Sequence, residues 1–324
     1  MRSPILSRLL VFAALTAICQ PLRAQIYPVK PIQMVVNSGT GAGTDLVTRI
    51  VVNALRGSLG TLIVDNRAGA DGMIGALAVK KAAADGYTLL AASENLVNIL
   101  AVKPDQPVRA FEDLMPVVAL GKLDFFLIVN RELLPVDSVA DLLRVARQRG
   151  SELNYASAAA GALHHLGMEL IKLQTGITPV RVPYKAIASG ITDLVAGRVH
   201  MTFTGYPAVA SQMKSGKLKI LAVGGATRSP FEPEVPTLKE AGIPDIEFSG
   251  GFHLYAPAGT PSPIIGKLNS EINQALQTDE VRTAMAKLAV TPAGGTPQQT
   301  AARLRADYEI WVRVVKAANI KPDN

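Results

Sequence analysis

Short apolar runs alternate with amphipathic helical stretches along most of this chain, and few folds accept that order. Ile32 to Asn37 reads as a strand, followed by a helix from Asp45 to Arg56 with Leu46, Val47, Ile50, Val51, Ala54 and Leu55 on one face. Leu62 to Asp65 is a second strand, Ile74 to Ala83 a second helix and Tyr87 to Ala92 a third strand. This order predicts a parallel, doubly wound sheet. A second block repeats the alternation. Its strands fall at Phe125–Asn130, Leu153–Ser157, Val180–Pro183, Val199–Phe203 and Leu218–Val223, with helices at Val139–Arg147, His164–Gln174, Ile187–Ala196 and Pro207–Lys214. After Phe248 the pattern changes. Phe252 to Ala256 reads as a strand returning to the first lobe, and helices follow near Pro263–Leu276, Asp279–Leu288 and Pro297–Ala318. The expected division is lobe 1 over 25–124 and 248–324, and lobe 2 over 125–247. Two lobes crossed by more than one segment make a hinge.

The N-terminus carries an export pattern. Arg2 and Arg8 precede an apolar run of 11 residues, Leu9 to Cys19, too short to span a membrane, which takes ~20. Pro21 breaks the run, and cleavage is expected after Ala24, making 1–24 a signal peptide. Cys19 is the only cysteine, so the mature chain has neither a disulfide nor a thiolate nucleophile. Ile18 is bulky where a lipoprotein signal has a small residue. The whole chain carries a formal +7, and the leader has three arginines and no acid, leaving +4 on the mature chain. A mild excess of this kind suits an anionic ligand. No basic cluster of the nucleic-acid-binding kind is present.

Two turns could carry chemistry. Asn37-Ser38-Gly39-Thr40-Gly41-Ala42-Gly43-Thr44-Asp45 joins the first strand to a helix whose N–H groups and positive dipole end face the turn, an arrangement that binds carboxylate or phosphate. An ordinary glycine-rich connection would read the same. A dinucleotide fingerprint with Asp65 as the ribose acid is the further alternative, against which stand Thr44 at the third glycine position and the export signal. In the other lobe Ser157-Ala158-Ala159-Ala160-Gly161-Ala162 again opens a helix, with His164 and His165 in its first turn. Adjacent histidines point in different directions and make a poor chelate. Neither a zinc motif nor a Gly-x-Ser-x-Gly elbow accompanies them. Glu112 and Asp113 suit a solvated helix end better than acid–base work. No metal, cofactor or enzymatic activity is expected.

Further motifs carry a resemblance. They are Tyr27-Pro28-Val29-Lys30-Pro31-Ile32, Asp65-Asn66-Arg67-Ala68-Gly69-Ala70-Asp71-Gly72, Asp85-Gly86-Tyr87-Thr88-Leu89-Leu90, Val182-Pro183-Tyr184-Lys185, Gly216-Lys217-Leu218, Val235-Pro236-Thr237-Leu238-Lys239-Glu240-Ala241-Gly242 and Ala256-Pro257-Ala258-Gly259-Thr260-Pro261. In this order and spacing the chain resembles the Bug-type receptors, extracytoplasmic substrate-binding proteins of tripartite tricarboxylate transporters. The resemblance implies an α/β, two-lobed periplasmic-binding-protein fold (Venus flytrap, type II-like) with a mixed sheet in each lobe. It implies a non-enzymatic, periplasmic, monomeric protein that hands a small organic acid to membrane transporter subunits, without binding nucleic acid or spanning the membrane. A periplasmic sensor presenting its solute to a signalling receptor is the alternative, and an enzyme on the same scaffold a further one. Carried onto this chain, the ligand contacts are Gly41, Ala42, Gly43, Thr44 and Asp45 from the first turn and Ser157, Ala160, Gly161 and His164 from the second. Asp45 would repel a carboxylate, so its expected part is to orient water or the turn's backbone. Ser93, Tyr184 and Tyr206 follow strands and are expected to line the cleft. The chain departs from the family pattern at Thr40-Gly41-Ala42 (usually Pro-Gly-Gly), at Ala159-Ala160 (often Gly-Asn) and at Ala186 (usually Gly), which bears on ligand preference.

Overall fold

The computed structural model describes residues 27–244 and 246–323. The expected leader, its cleavage point after Ala24 and Cys19 lie outside the described residues. Two mixed sheets organise the rest. The first contains β1 (Ile32–Val36), β2 (Leu62–Asn66), β3 (Thr88–Ser93), β4 (Leu114–Leu123), β10 (Gly250–Pro257) and β11 (Val290–Gly294), in the order β11-β4-β10-β3-β1-β2. β1 pairs in parallel with β2 and β3, while β10 runs antiparallel between β3 and β4. The second contains β5 (Phe125–Asn130), β6 (Asn154–Ser157), β7 (Val180–Pro183), β8 (Met201–Gly205) and β9 (Leu218–Val223), in the order β7-β6-β8-β5-β9. β6 is parallel to β7 and β8, and β5 antiparallel to β8 and β9.

Helices cover both faces of each sheet because the strands are apolar on both sides; every residue of β5 and of β10 is buried. On one face of the first sheet α1 (Gly43–Leu55) supplies Val47, Val51 and Leu55, and α7 (Ser262–Leu276) supplies Ile265, Leu268 and Ile272. On the other lie α2 (Met73–Lys80) and α3 (Asn95–Val102). The second sheet packs α4 (Val139–Arg149) and α5 (Leu163–Thr175) on one face and α6 (Ile187–Val195) on the other. Ser138 caps α4, its hydroxyl accepting from the Asp141 amide. α8 (Asp279–Ala286) precedes the edge strand β11.

The chain passes between sheets with little slack. A single residue, Asp124, separates β4 from β5, and it is buried, with Lys122 Nζ 2.9 Å from its carboxylate. The return segment lies alongside: Gly224 N–H donates to Phe125 O, Phe248 N–H to Gly224 O, and Gly250 registers with Leu123. A third link is α9 (Pro297–Ala317), which starts from a Thr296/Gln299 capping box. Its Leu304 belongs to the first sheet's core, whereas Trp311 and Val314 lie in the second sheet's core.

Some elements differ from expectation. β4, α3 and β11 have no counterpart in the sequence reading. The helix expected over Pro207–Lys214 is a 3-10 turn at Tyr206–Ala208 and one α turn at Ala210–Met213. Val209, fully buried with φ −118°, breaks the regular run between them. The helix expected to reach Leu288 stops at Ala286, since Ala289 adopts φ +49° on the way into β11.

Candidate functional site

Each candidate turn joins a strand end to a helix with no side-chain cap. Ala42 precedes α1 and Ala162 precedes α5, both extended, and neither has a side chain that can accept a hydrogen bond. The first amides of each helix therefore have no acceptor within the helix; the first turn of α5 holds no acid, whereas that of α1 holds Asp45. Gly41 at φ +83° and Gly161 at φ +88° make the two turns possible, since side chains rarely tolerate that region.

The first turn is held from behind by Asp45, which is 1% exposed. Its carboxylate accepts from the Gly41 amide at 2.8 Å, Arg49 Nε at 2.9 Å and Asn66 Nδ2 at 2.9 Å. Burial works to raise its pKa, and these hydrogen bonds outweigh it and hold the group below the ordinary aspartate value. The Ala42 amide donates to Gly39 O. The amides of Gly41 and Ala42 are thus committed to the turn, and those of Gly43 and Thr44 remain at the helix end.

The second turn is held by a device the sequence reading missed. Asp323, near the C-terminus, accepts from the Ala160 amide at 2.7 Å and receives both terminal nitrogens of Arg181 at 2.7 and 2.9 Å. Arg181 also donates to Ala158 O and, through Nε, to the Ser157 hydroxyl at 2.7 Å. A bidentate arginine–carboxylate pair of this kind fixes geometry as well as charge. The Arg181 contact is the main cause of the drop in the Asp323 pKa to about 2.

Between the sheets lie two adjoining cavities. The smaller, about 280 Å³, is lined by Ala158, Ala159, Ala160 and Ala162 of the second turn, by Ser93, Glu94 and Asn98 from the β3–α3 junction, and by Gly250 and Gly251. The larger, about 370 Å³, is lined by Gly41 and Gly43 of the first turn and by Thr204, Gly205 and Pro207 from the end of β8. Leu123, Phe125, His164 and Phe252 line both, so one apolar partition separates them. A Cβ on Gly43 would stand 3.1 Å from the Phe252 ring, which fixes how near α1 comes to that partition.

Among the sequence candidates, Gly41, Gly43, Ser93, Ala160 and His164 line these cavities. Ala42, Thr44, Asp45 and Gly161 shape the turns. Ser157, Tyr184 and Tyr206 line neither cavity. The Ser157 hydroxyl is spent on Arg181 and Ala158 O, and Tyr184 Oη donates to Asp193 at 2.8 Å. Tyr206 packs edge-on to Phe126, and a hydrogen bond to Glu232 is the largest cause of its raised pKa. The departing Ala159-Ala160 pair lines the smaller cavity, whereas Ala186 precedes α6 and lines neither.

The electrostatics follow from burial. Desolvation pushes His164 down to about 4, so at neutral pH it is an uncharged donor or acceptor in the partition. Glu94 is 3% exposed, and burial, then the neighbouring Asp307 carboxylate, raise it well above the ordinary glutamate value. Asp71 at the rim is paired with Lys103 at 3.1 Å. Lys185 is the cation lining the smaller cavity, exposed and without an acidic partner among the described residues. It follows Tyr184 in the Val-Pro-Tyr-Lys motif, which was the signal available for it. Among the described residues no cluster of three or more His, Cys, Asp or Glu could hold a metal.

Gly161→Val is expected to weaken acid binding by roughly tenfold and to cost about 1–3 kcal/mol of stability. Its Cβ would meet Val102 Cγ2 at 3.1 Å with φ held positive. Calorimetric titration alongside a melt checks this, and unchanged affinity removes the second turn from the site.

Two mixed α/β sheets, joined by adjacent crossing strands around a cleft, are the architecture of a two-lobed periplasmic binding protein. The chain belongs to the tripartite tricarboxylate transporter family receptors, whose family model matches residues 47–320. It is 38% identical over 314 residues to Protein BugT of Bordetella pertussis, covering 96% of each chain. Among solved structures it is similar to R. palustris Rpa4515 with adipate, at 34% identity and TM-score 0.78, covering 92% of this chain and 100% of that one. MatC of Rhodopseudomonas palustris with bound malate follows at 27% identity and TM-score 0.74, covering 89% and 100%. The expected α/β two-lobed fold, with a mixed sheet in each lobe, is the fold of this chain. No described helix is long and apolar enough to cross a membrane.

Proposed function

We propose that this protein captures a small carboxylate-bearing organic acid between its lobes and delivers it to a tripartite tricarboxylate-type membrane transporter. The observation that carries the reading is the charge arrangement around the cleft. Two uncapped helix ends open on adjoining cavities, and Lys185 lines one of them. The acid in its wall, Glu94, has its pKa raised by burial and then by the neighbouring Asp307 carboxylate, which disfavours its charged form. One negative charge on a ligand then meets helix-end donors and a cation, with Asp71 paired to Lys103 and Asp45 engaged by Arg49 and the Gly41 amide. Solved relatives holding adipate and malate support the ligand class.

The division into lobes over 25–124 with 248–324 and over 125–247 belongs to the same proposal, as do export through a leader over 1–24, a periplasmic location and a monomeric state. Closure of the lobes would bring the two turns onto one acid and present a docking surface to the membrane subunits. In this reading the protein performs no chemistry on its ligand.

A thermal-shift screen of mono-, di- and tricarboxylates tests it. A matching acid at roughly a hundred times its Kd is expected to raise the melting temperature by about 5 °C. The acid is expected back unchanged. Product formation, or no stabilisation by any acid, would sink the reading. Co-purification with a signalling receptor rather than transporter subunits would favour the sensory alternative.

A further inference from the structure

Polar side chains crowd the floor of the smaller cavity with few partners of their own. Asn98 on α3 is 0% exposed and lines the cavity, and neither its amide oxygen nor its amide nitrogen has a hydrogen-bond partner. Buried amides are ordinarily paired, because leaving both ends unmet is costly. Helix geometry does not require an asparagine here; Leu96, Val97, Ile99 and Leu100 around it are apolar and buried, and a leucine would suit the helix better. The amide is therefore an apolar site given up for a polar group that faces the cleft.

The surroundings say what that group meets. Glu94, one turn earlier, lines the same cavity and is buried, as Asn98 is; Ser93 and Asn95 beside it line the cavity too. A Cβ on Gly251 would lie 3.2 Å from Glu94 Oε2 and 2.8 Å from His253 Nε2, so that glycine leaves the room in which Glu94 reaches the cavity and His253 packs behind it. Beneath them Asp307 carries Arg303 at 3.5 Å, and Arg303 also donates to Ser249 at 2.8 Å. The floor holds no unbalanced cation to meet a second negative charge. The cation of this cavity, Lys185, is at the exposed rim.

We propose that Asn98 reads the far end of the bound acid and selects a neutral group that both donates and accepts hydrogen bonds, a carboxamide above all, over a second carboxylate. The inference rests on the acid-receptor reading and adds what the tail of that acid must be. An amide tail can satisfy both ends of the Asn98 amide at once, nitrogen to oxygen and oxygen to nitrogen. An ionised carboxylate has acceptors only. It would pair with the Asn98 nitrogen, leave the Asn98 oxygen unmet and bury its charge with no unbalanced cation beside it. An alkyl tail would leave both amide ends unmet. Sites built to hydrogen-bond a ligand group reject analogues that lack it more strongly than apolar pockets reject a missing methylene.

Calorimetric titration of the full chain with adipate, its monoamide and hexanoate tests the assignment in the native protein and in Asn98→Leu. The native protein is expected to bind the monoamide at least about tenfold more tightly than either of the others. In Asn98→Leu that preference disappears, and hexanoate binds as well as to the native protein or better. If the variant is too unstable to titrate, Asn98→Ser takes its place with the same expected loss of preference. Native preference for adipate, or a variant that keeps the native ranking, overturns the assignment and leaves the receptor reading standing. A uniform loss for all three ligands marks a structural role for Asn98 and also overturns it. If no acid of this set or of the wider screen binds, the receptor reading and the assignment fall together.

Discussion

Trp311→Ala is expected to cost about 3–5 kcal/mol, the range for deleting a large buried aromatic. Trp311 is 1% exposed and meets Phe248 edge-on, with ring centroids 5.1 Å apart. Phe248 is 5.0 Å from Phe203, and Phe203 is 5.9 Å from Phe125, which forms part of the partition between the cavities. An aromatic column thus runs from the last helix through the second core to the cleft. Collapse around the missing indole is restricted, because Gly167 on α5 already sits where a Cβ would lie 2.6 Å from Phe248 and 2.9 Å from Phe203. The next residue supplies the control. Val312 is 39% exposed, and Val312→Ala should stay within about 0.5 kcal/mol of native. Urea unfolding of both variants measures the difference. A Trp311→Ala penalty below about 1 kcal/mol would show that the column does not bear the second core.

Asp45→Ala is expected to weaken acid binding by about tenfold and to cost about 1–3 kcal/mol of stability. The substitution leaves the Gly41 amide, Asn66 and Arg49 without their shared acceptor. Arg49 is 44% exposed and can turn to water, so the full penalty of a broken buried ion pair does not apply. Binding receives two opposed effects. Removing the carboxylate takes a negative charge from the first turn and frees the Gly41 amide, a gain of about 0.5–1.5 kcal/mol. Loss of the tie also lets the glycine-containing turn sample many shapes, and reordering its backbone costs about 1–2 kcal/mol per residue fixed. With more than one residue released, the ordering cost wins.

The pH dependence has a definite sign. The folded-state pKa of Asp45 lies below the ordinary 3.8. Its contribution to stability is therefore complete above 3.8 and is lost as pH falls from there toward the folded pKa. The stability gap between native protein and Asp45→Ala should be constant from neutral pH to about 5 and narrow below 3.8. A gap that does not close in acid would mean that the carboxylate is not what ties the turn.

Periodicity and turn chemistry are local, and the sequence exposed what depends on them. The βαβ alternation from Ile32 to Ala92, the glycine turns before α1 and α5 and the return strand at Phe252 were legible because each is written in a few consecutive residues. β4 was not. Its Leu114–Leu123 segment contains Pro116 and Gly121, which argue against a central strand. The chain accepts Pro116 there because the pairing of β4 with β10 shifts register at that point. β11, with Pro292 and Gly294, forms only as an edge beside β4 and so depends on a strand some 170 residues earlier in the chain.

The candidate site divides the same way. The helix-end amides follow from sequence, since any strand–glycine turn–helix leaves them free. Which polar groups meet across the cleft was decided by tertiary closure. Asp323 reaches Ala160 from 163 residues away, and Glu94 and Asn98 become the floor of a cavity only when β10 returns beside β3. The raised pKa of Glu94 and the lowered pKa of His164 come first from burial, which depends on packing neighbours rather than on chain neighbours. By itself, then, the sequence determined the two-lobed alternation and the two glycine turns that open on helix ends. The shape and charge of the space between them arise from contacts made only after the chain has folded.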